Sequence, residues 1–107
     1  MTMFDKREEA FEKKYVLDEE LKFKADARRN KLLGLWVAEK LGMSGGEAEA
    51  YAREVVAAEI EGPGDTGVSR KVTSDLAGKG ASISEAEIRA KMDELMALAV
   101  AQVKAGK

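Results

Sequence analysis

The chain has 107 residues, 36% of them charged and 45% hydrophobic, and eighteen Lys and Arg against twenty Asp and Glu give a formal net charge of −2. It contains no cysteine and no histidine, which excludes a disulfide framework, a zinc–thiolate site, a thiol nucleophile and a Ser-His-Asp triad. The length suits one domain, and the balance of charge argues against a general nucleic-acid binder.

Acid–base groups are scarce, so the expectation is a binding or regulatory protein rather than an enzyme, with no metal. No apolar run approaches the ~20 residues that a membrane span needs. The opening Met1-Thr2-Met3-Phe4-Asp5-Lys6-Arg7-Glu8-Glu9 has no apolar stretch of the signal-peptide kind and turns acidic at once. A cytoplasmic protein that does not insert into a membrane is expected.

Residues 1–16 form a first unit. Asp5, Glu8, Glu9 and Glu12 balance Lys6, Arg7, Lys13 and Lys14, while Phe4, Phe11 and Tyr15 fall at helical spacing on one side. Glycine and proline are absent from this stretch. Its apolar stripe is narrow, and isolated helices of this length are marginal in water. Two readings stand side by side: a flexible or weakly helical arm that folds on a partner, or a short extra helix packed weakly on the domain.

Residues 17–107 carry four helical patterns. The first spans about 18–41. Asp18 is a candidate N-cap followed by Glu19 and Glu20, where the helix dipole favours anions. Leu17, Leu21, Ala25, Leu32, Leu35, Trp36 and Leu41 recur at helical period, interrupted at Arg28. Gly42 is the stop. The second spans about 45–61. Ser44 and Glu47 have capping-box spacing, the stripe is Ala48, Tyr51, Ala52, Val55, Val56 and Ile60, and Gly62-Pro63-Gly64 ends it. The third, about 66–79, carries Val68, Val72 and Leu76 four apart, with Gly78 and Gly80 after them. The fourth, about 84–104, opens on a second capping box, Ser84 to Glu87, and continues through Ile88, Met92, Leu95, Met96, Ala99 and Val103. The expected fold is all-α, a four-helix bundle with an N-terminal arm. Trp36 is the expected centre of its core, because the later helices offer little but aliphatic side chains and methionine.

Lys22, Lys24, Arg28, Arg29 and Lys31 oppose only Asp26, a local charge of +4. Such a face binds phosphate or an acidic protein surface, or else serves as a solvated face attracting the acidic stretch 47–65. For most of these side chains the solvated face is the expectation. Arg28 lies on the apolar stripe and is expected to be half-buried against a carboxylate or carbonyl. Gly78-Lys79-Gly80 lacks the flanking residues of a Walker A loop. Gly45-Gly46 reads as a turn with a cap sooner than as an anion site. Adjacent carboxylates such as Glu19-Glu20 and Asp93-Glu94 point to different sides of a helix.

Three long strings carry a family resemblance. They are Phe4-Asp5-Lys6-Arg7-Glu8-Glu9-Ala10-Phe11-Glu12-Lys13-Lys14-Tyr15, Asp18-Glu19-Glu20-Leu21-Lys22-Phe23-Lys24-Ala25 and Ala27-Arg28-Arg29-Asn30-Lys31-Leu32-Leu33-Gly34-Leu35-Trp36. With Ala48–Val56, Arg70-Lys71-Val72, Ile83-Ser84-Glu85 and Ile88–Met92, the chain resembles the zeta subunits, regulatory subunits of the alphaproteobacterial F-type ATP synthase. The resemblance implies a four-helix bundle that inhibits ATP hydrolysis. Its N-terminal segment would insert as a helix into the catalytic head, among the alpha, beta and gamma subunits, and block rotation. It places the protein at the inner membrane through the synthase, as a monomer when free. The arm's partner-binding residues would be Phe4, Phe11 and Tyr15 as apolar anchors, with Asp5, Arg7, Glu8 and Lys14 setting register by ion pairs. The alternative is a sensor bundle in which ATP or ADP binds Arg28, Arg29 or Lys31 as a regulatory ligand; otherwise no cofactor is expected.

Overall fold

A computed structural model of the chain describes the backbone of residues 2–106 and the side chains of residues 19–106. Four helices follow one another: α1 (Thr2–Lys40), α2 (Gly45–Ala57), α3 (Thr66–Gly78) and α4 (Glu85–Lys104), with a 3-10 turn (Ala58–Glu61) closing α2. No strand occurs among the described residues. The bundle is all-α, as the hydrophobic periodicity indicates.

The first helix is far longer than its apolar stripe. At ~1.5 Å per residue its 39 residues span about 58 Å. Asp18 therefore lies inside α1 and is not an N-cap; residues 2–18 contain no glycine or proline to break the helix. The first buried side chain described on α1 is Ala25, followed by Arg29, Asn30, Leu33, Val37 and Ala38. This face is turned from the one marked by Leu32, Leu35 and Trp36. Gly42, at φ +81°, terminates the helix in a Schellman arrangement. Met43 N–H donates to the Ala38 carbonyl at 2.8 Å and Gly42 N–H to that of Glu39 at 3.1 Å. The end of α3 repeats the device, with Gly80 at φ +80° and Ala81 N–H on the Leu76 carbonyl at 3.0 Å.

The two expected capping boxes part ways. Ser84 accepts the Glu87 N–H at 3.1 Å, as a cap should. Ser44 occupies the N-cap position of α2 without a side-chain cap bond, because Gly45 after it adopts φ +56° and turns the first amides away from the hydroxyl.

Leu33 and Val37 of α1, Tyr51 and Val55 of α2, Val68, Val72 and Leu76 of α3, and Ile88, Met92 and Leu95 of α4 form the core. Trp36 is not its centre. The indole lies at the margin, packed against the core, with the Lys40 and Lys91 ammonium groups each 5.4 Å from the ring centroid. That marginal position lets a large ring keep apolar contact with the core while two cations approach it. Tyr51 joins α2 to α3: its hydroxyl donates to Asp75 Oδ2 at 2.7 Å, and Lys71 lies 5.1 Å from its ring. Burial and the Asp75 carboxylate push the Tyr51 phenol far above its ordinary range.

The helices approach closely where a side chain is missing. A Cβ on Gly34 would stand 2.6 Å from the Ala52 backbone Cα, and one on Gly67 would stand 2.1 Å from the Ala58 carbonyl oxygen. Gly34 sets the α1–α2 crossing, and Gly67 lets α3 start directly against the 3-10 turn. Gly34→Ala is expected to lower stability by about 1–3 kcal/mol through overpacking. Gly46→Ala, whose methyl meets open space, should be neutral or stabilising by up to about 1 kcal/mol. Urea unfolding of the two variants checks the contrast.

Candidate functional site

The seven residues proposed for the arm, Phe4, Asp5, Arg7, Glu8, Phe11, Lys14 and Tyr15, have side chains outside the described residues. Their backbone belongs to α1, so the segment that would reach a partner and the helix that anchors in the core are one element.

The three cations proposed for a nucleotide separate. Lys31 is exposed. Arg28 is half-buried, as its place on the stripe requires, and its Nη1 donates to Gln102 Oε1 on α4 at 3.2 Å. Arg29 departs from the solvated face expected of it. It is 3% exposed, and its guanidinium forks onto the Asp65 carboxylate, with Nη2 to Oδ1 at 2.8 Å and Nη1 to Oδ2 at 3.1 Å. Nε and Nη2 also donate to Asn30 Oδ1, at 3.0 and 2.8 Å, and Glu59 Oε2 lies 3.9 Å from Nη2. The Asn30 amide in turn donates to Glu59. The phase of α1 explains the difference: with Ala25 and Leu33 facing inward, the residue one turn from each is Arg29.

A buried guanidinium needs its donors satisfied and its charge matched. The acidic stretch after α2 supplies both. Asp65 directly precedes α3 and makes no cap bond there, since its carboxylate is committed to Arg29. The hydrogen bonds from Arg29 hold the Asp65 carboxyl below its ordinary range against the opposing effect of burial. Burial pushes Glu59 the other way, above the usual range, with Asn30 and Arg29 opposing.

On the other side of this cluster the surface is apolar. Phe23 is 78% exposed and Ile60 90%, although Ile60 continues the α2 stripe. The change to a 3-10 turn at Ala58 explains the discrepancy. Three residues per turn instead of 3.6 bring Ala58 inward and carry Ile60 out. Phe23, Ala27, Val56 and Ile60 border a groove of about 240 Å³ whose floor includes Asn30 and Glu59. An adjoining groove of about 680 Å³ shares Phe23, Ala27 and Val56 and adds Lys24, Arg28, Lys31 and Val103. Composition alone hides both hydrophobic exposures; for Ile60 the readable signal is the Gly62-Pro63-Gly64 breaker just beyond it.

The family model described as ATPase inhibitor subunit zeta matches residues 1–102. The chain belongs to that family. The inhibitor subunit zeta family covers arm and bundle together, so the sequence resemblance holds over nearly the whole length. A solved solution NMR structure is 57% identical, with a TM-score of 0.72, over 81% of this chain and 99% of that one. No curated protein matches the chain. Membership makes the chain an ATPase inhibitor subunit whose partner is the ATP synthase, a regulatory assignment. No described helix is long and apolar enough to cross a membrane, and no cluster of potential metal ligands occurs among the described residues.

The Arg29 cluster carries a pH signature. The depressed Asp65 contributes stability that is fully present above its unfolded-state value and lost as pH falls through its lower folded value. The raised Glu59 contributes in the opposite sense, favouring the fold as it takes up a proton. Asp65→Asn should cost about 1–3 kcal/mol at pH 7. The difference from the parent chain should shrink below about pH 4, the ordinary carboxylate range. Thermal unfolding of both proteins across pH 3–7 measures it.

Proposed function

We propose that the chain inhibits ATP hydrolysis by the F-type ATP synthase by inserting residues 1–16 as a helix into the catalytic head, among its alpha, beta and gamma subunits, while the bundle stays outside and arrests rotation. The observation that supports this reading is the continuity of α1. Helix nucleation is the unfavourable step and propagation the favourable one, and a segment attached to an anchored helix needs only propagation. Ordering the backbone costs roughly 1–2 kcal/mol per residue, and the interface must exceed the part of that cost that remains. Phe4, Phe11 and Tyr15 supply the apolar contact, and Asp5, Arg7, Glu8 and Lys14 the rim pairs that fix register. The continuous helix then transmits load from the inserted segment to a bundle held by Gly34 and Arg29. The protein works at the inner membrane surface through its hold on the synthase, as a monomer until it binds.

Deleting residues 1–16 should abolish inhibition while the bundle still unfolds cooperatively; undiminished inhibition by the truncated chain would defeat the insertion mechanism. Phe11→Ala should weaken inhibition without lowering the melting temperature, and a fall of several degrees would place the ring on the bundle instead.

Regulation by ATP or ADP is a secondary reading, favoured only by the 680 Å³ groove, where an aromatic ring and three cations meet. Arg29 drops out of it, being sealed against Asp65, and Arg28 is already engaged by Gln102. Lys31 and Lys24 remain as phosphate partners. Titration with ATP should then shift amide resonances around Phe23 and Lys31. Unchanged spectra at millimolar nucleotide would remove this reading.

A further inference from the structure

We propose that the groove bordered by Phe23, Ala27, Val56 and Ile60 is the surface by which the bundle docks on the ATPase, receiving an apolar side chain that the partner presents beside carboxylates. The proposal rests on the inhibitory reading above and names the second contact which that reading leaves open.

Two large apolar side chains on one groove, Phe23 and Ile60, are far more exposed than Leu98, the other large hydrophobic exposed among the described residues, at 46%. The groove holds about 240 Å³, less than the roughly 300 Å³ at which small-molecule pockets begin, and suits one or two protein side chains. Its polar floor asks for no ligand: Asn30 and Glu59 are bonded to each other and to Arg29. The same bonds make the groove rigid. Glu59 is tied down next to Ile60, and Asn30 lies three residues from Ala27 on α1, so docking orders little that is not already ordered.

The charge around the groove selects the partner. Asp26 and Glu59 border it on one side, and Glu59 is matched by Asn30 and Arg29. On the side that opens toward α4 the border is cationic, formed by Lys24, Arg28 and Lys31. Among the described residues Lys24 has only an exposed contact with Glu20 at 3.8 Å, a weak pair in water. Lys31 has no carboxylate in ion-pair range among the described residues. A protein surface with acidic side chains flanking an apolar one complements this edge and steers association.

Position along α1 supplies the remaining argument. Phe23 stands eight residues beyond Tyr15, about 12 Å along the same helix. A head that swallows α1 as far as Tyr15 leaves its rim about 12 Å from Phe23, within reach of a side chain or loop projecting from that rim. Among the described residues, Phe23 is the exposed large hydrophobic of α1 nearest the arm.

The test uses the full chain and the cognate ATP synthase, with hydrolysis measured against inhibitor concentration. The double variant Phe23→Ser, Ile60→Ser should raise the half-inhibitory concentration at least tenfold, leave maximal inhibition at saturation intact, and leave thermal unfolding unchanged. Lys31→Glu, a surface change that preserves the apolar groove, should raise the half-inhibitory concentration severalfold and flatten its salt dependence. An unchanged half-inhibitory concentration in the folded double variant overturns the docking surface while sparing the arm mechanism. Absence of inhibition by the parent chain overturns the inhibitory reading, and this proposal with it. A parent chain that sediments as a dimer, with the double variant a monomer, overturns the proposal in favour of self-association through the groove.

Discussion

Among the described residues, Arg29 is the only cation buried in an interior that is otherwise almost wholly aliphatic, and it is there because the segment after α2 brings Asp65 and Glu59 to it. The ion pair with Asp65 joins residues 36 positions apart and fixes the start of α3 against α1. Asn30 extends the network to the 3-10 turn. A lone guanidinium in this place would cost several kcal/mol, so the fold is compatible with Arg29 only when the turn, the start of α3 and α1 are all in register. The close approaches at Gly34 and Gly67 have the same consequence. Each removes a side chain so that two backbones meet, and each leaves one arrangement of the helices free of clashes.

That registration bears on function through α1. The helix that carries Leu33, Val37 and Arg29 into the core is the helix whose N-terminal part, up to residue 16, is proposed to enter the ATPase. An inhibitor that opposes rotation must resist a mechanical load. A helix held in the bundle by close packing, a buried ion pair and a Schellman stop resists better than a tether would. The exposed Phe23 and Ile60 lie where this shaft leaves the bundle, which gives the proposed second contact its geometry.

The aliphatic stripes of α3 and α4 read directly from the sequence, because Val68, Val72 and Leu76, and Ile88, Met92, Leu95 and Ala99, stand at helical spacing and are all buried. The glycine stops at Gly42 and Gly80 were equally legible, since only a left-handed residue completes those turns. Other features depend on tertiary context. Arg28 and Arg29 are adjacent and chemically identical, and which one turns inward depends on the phase of α1, to which Trp36 and Leu35 are poor guides. A clue was present in the acids Glu59, Glu61 and Asp65, which stand ready to match a cation turned inward from α1. Ile60 fits the α2 stripe, and only the change of helix type at Ala58 expels it. Gly34 lies within Leu-Leu-Gly-Leu-Trp, where a missing side chain signals a close crossing. The family assignment was legible because the string from Ala27 to Trp36 is long and distinctive. The docking groove was not, because it is assembled from α1 and the end of α2.

The central claim is that one unbroken helix couples the arm to the bundle. A variant with Leu17→Pro and Asp18→Gly tests it most directly, since a proline inside a helix costs about 3 kcal/mol or more while every proposed anchor and the groove remain. Its half-inhibitory concentration against the cognate ATPase should rise at least tenfold, with the melting temperature of the bundle preserved. Inhibition as strong as that of the parent chain would contradict the account, showing that the arm works as a tethered peptide and not as the end of a shaft.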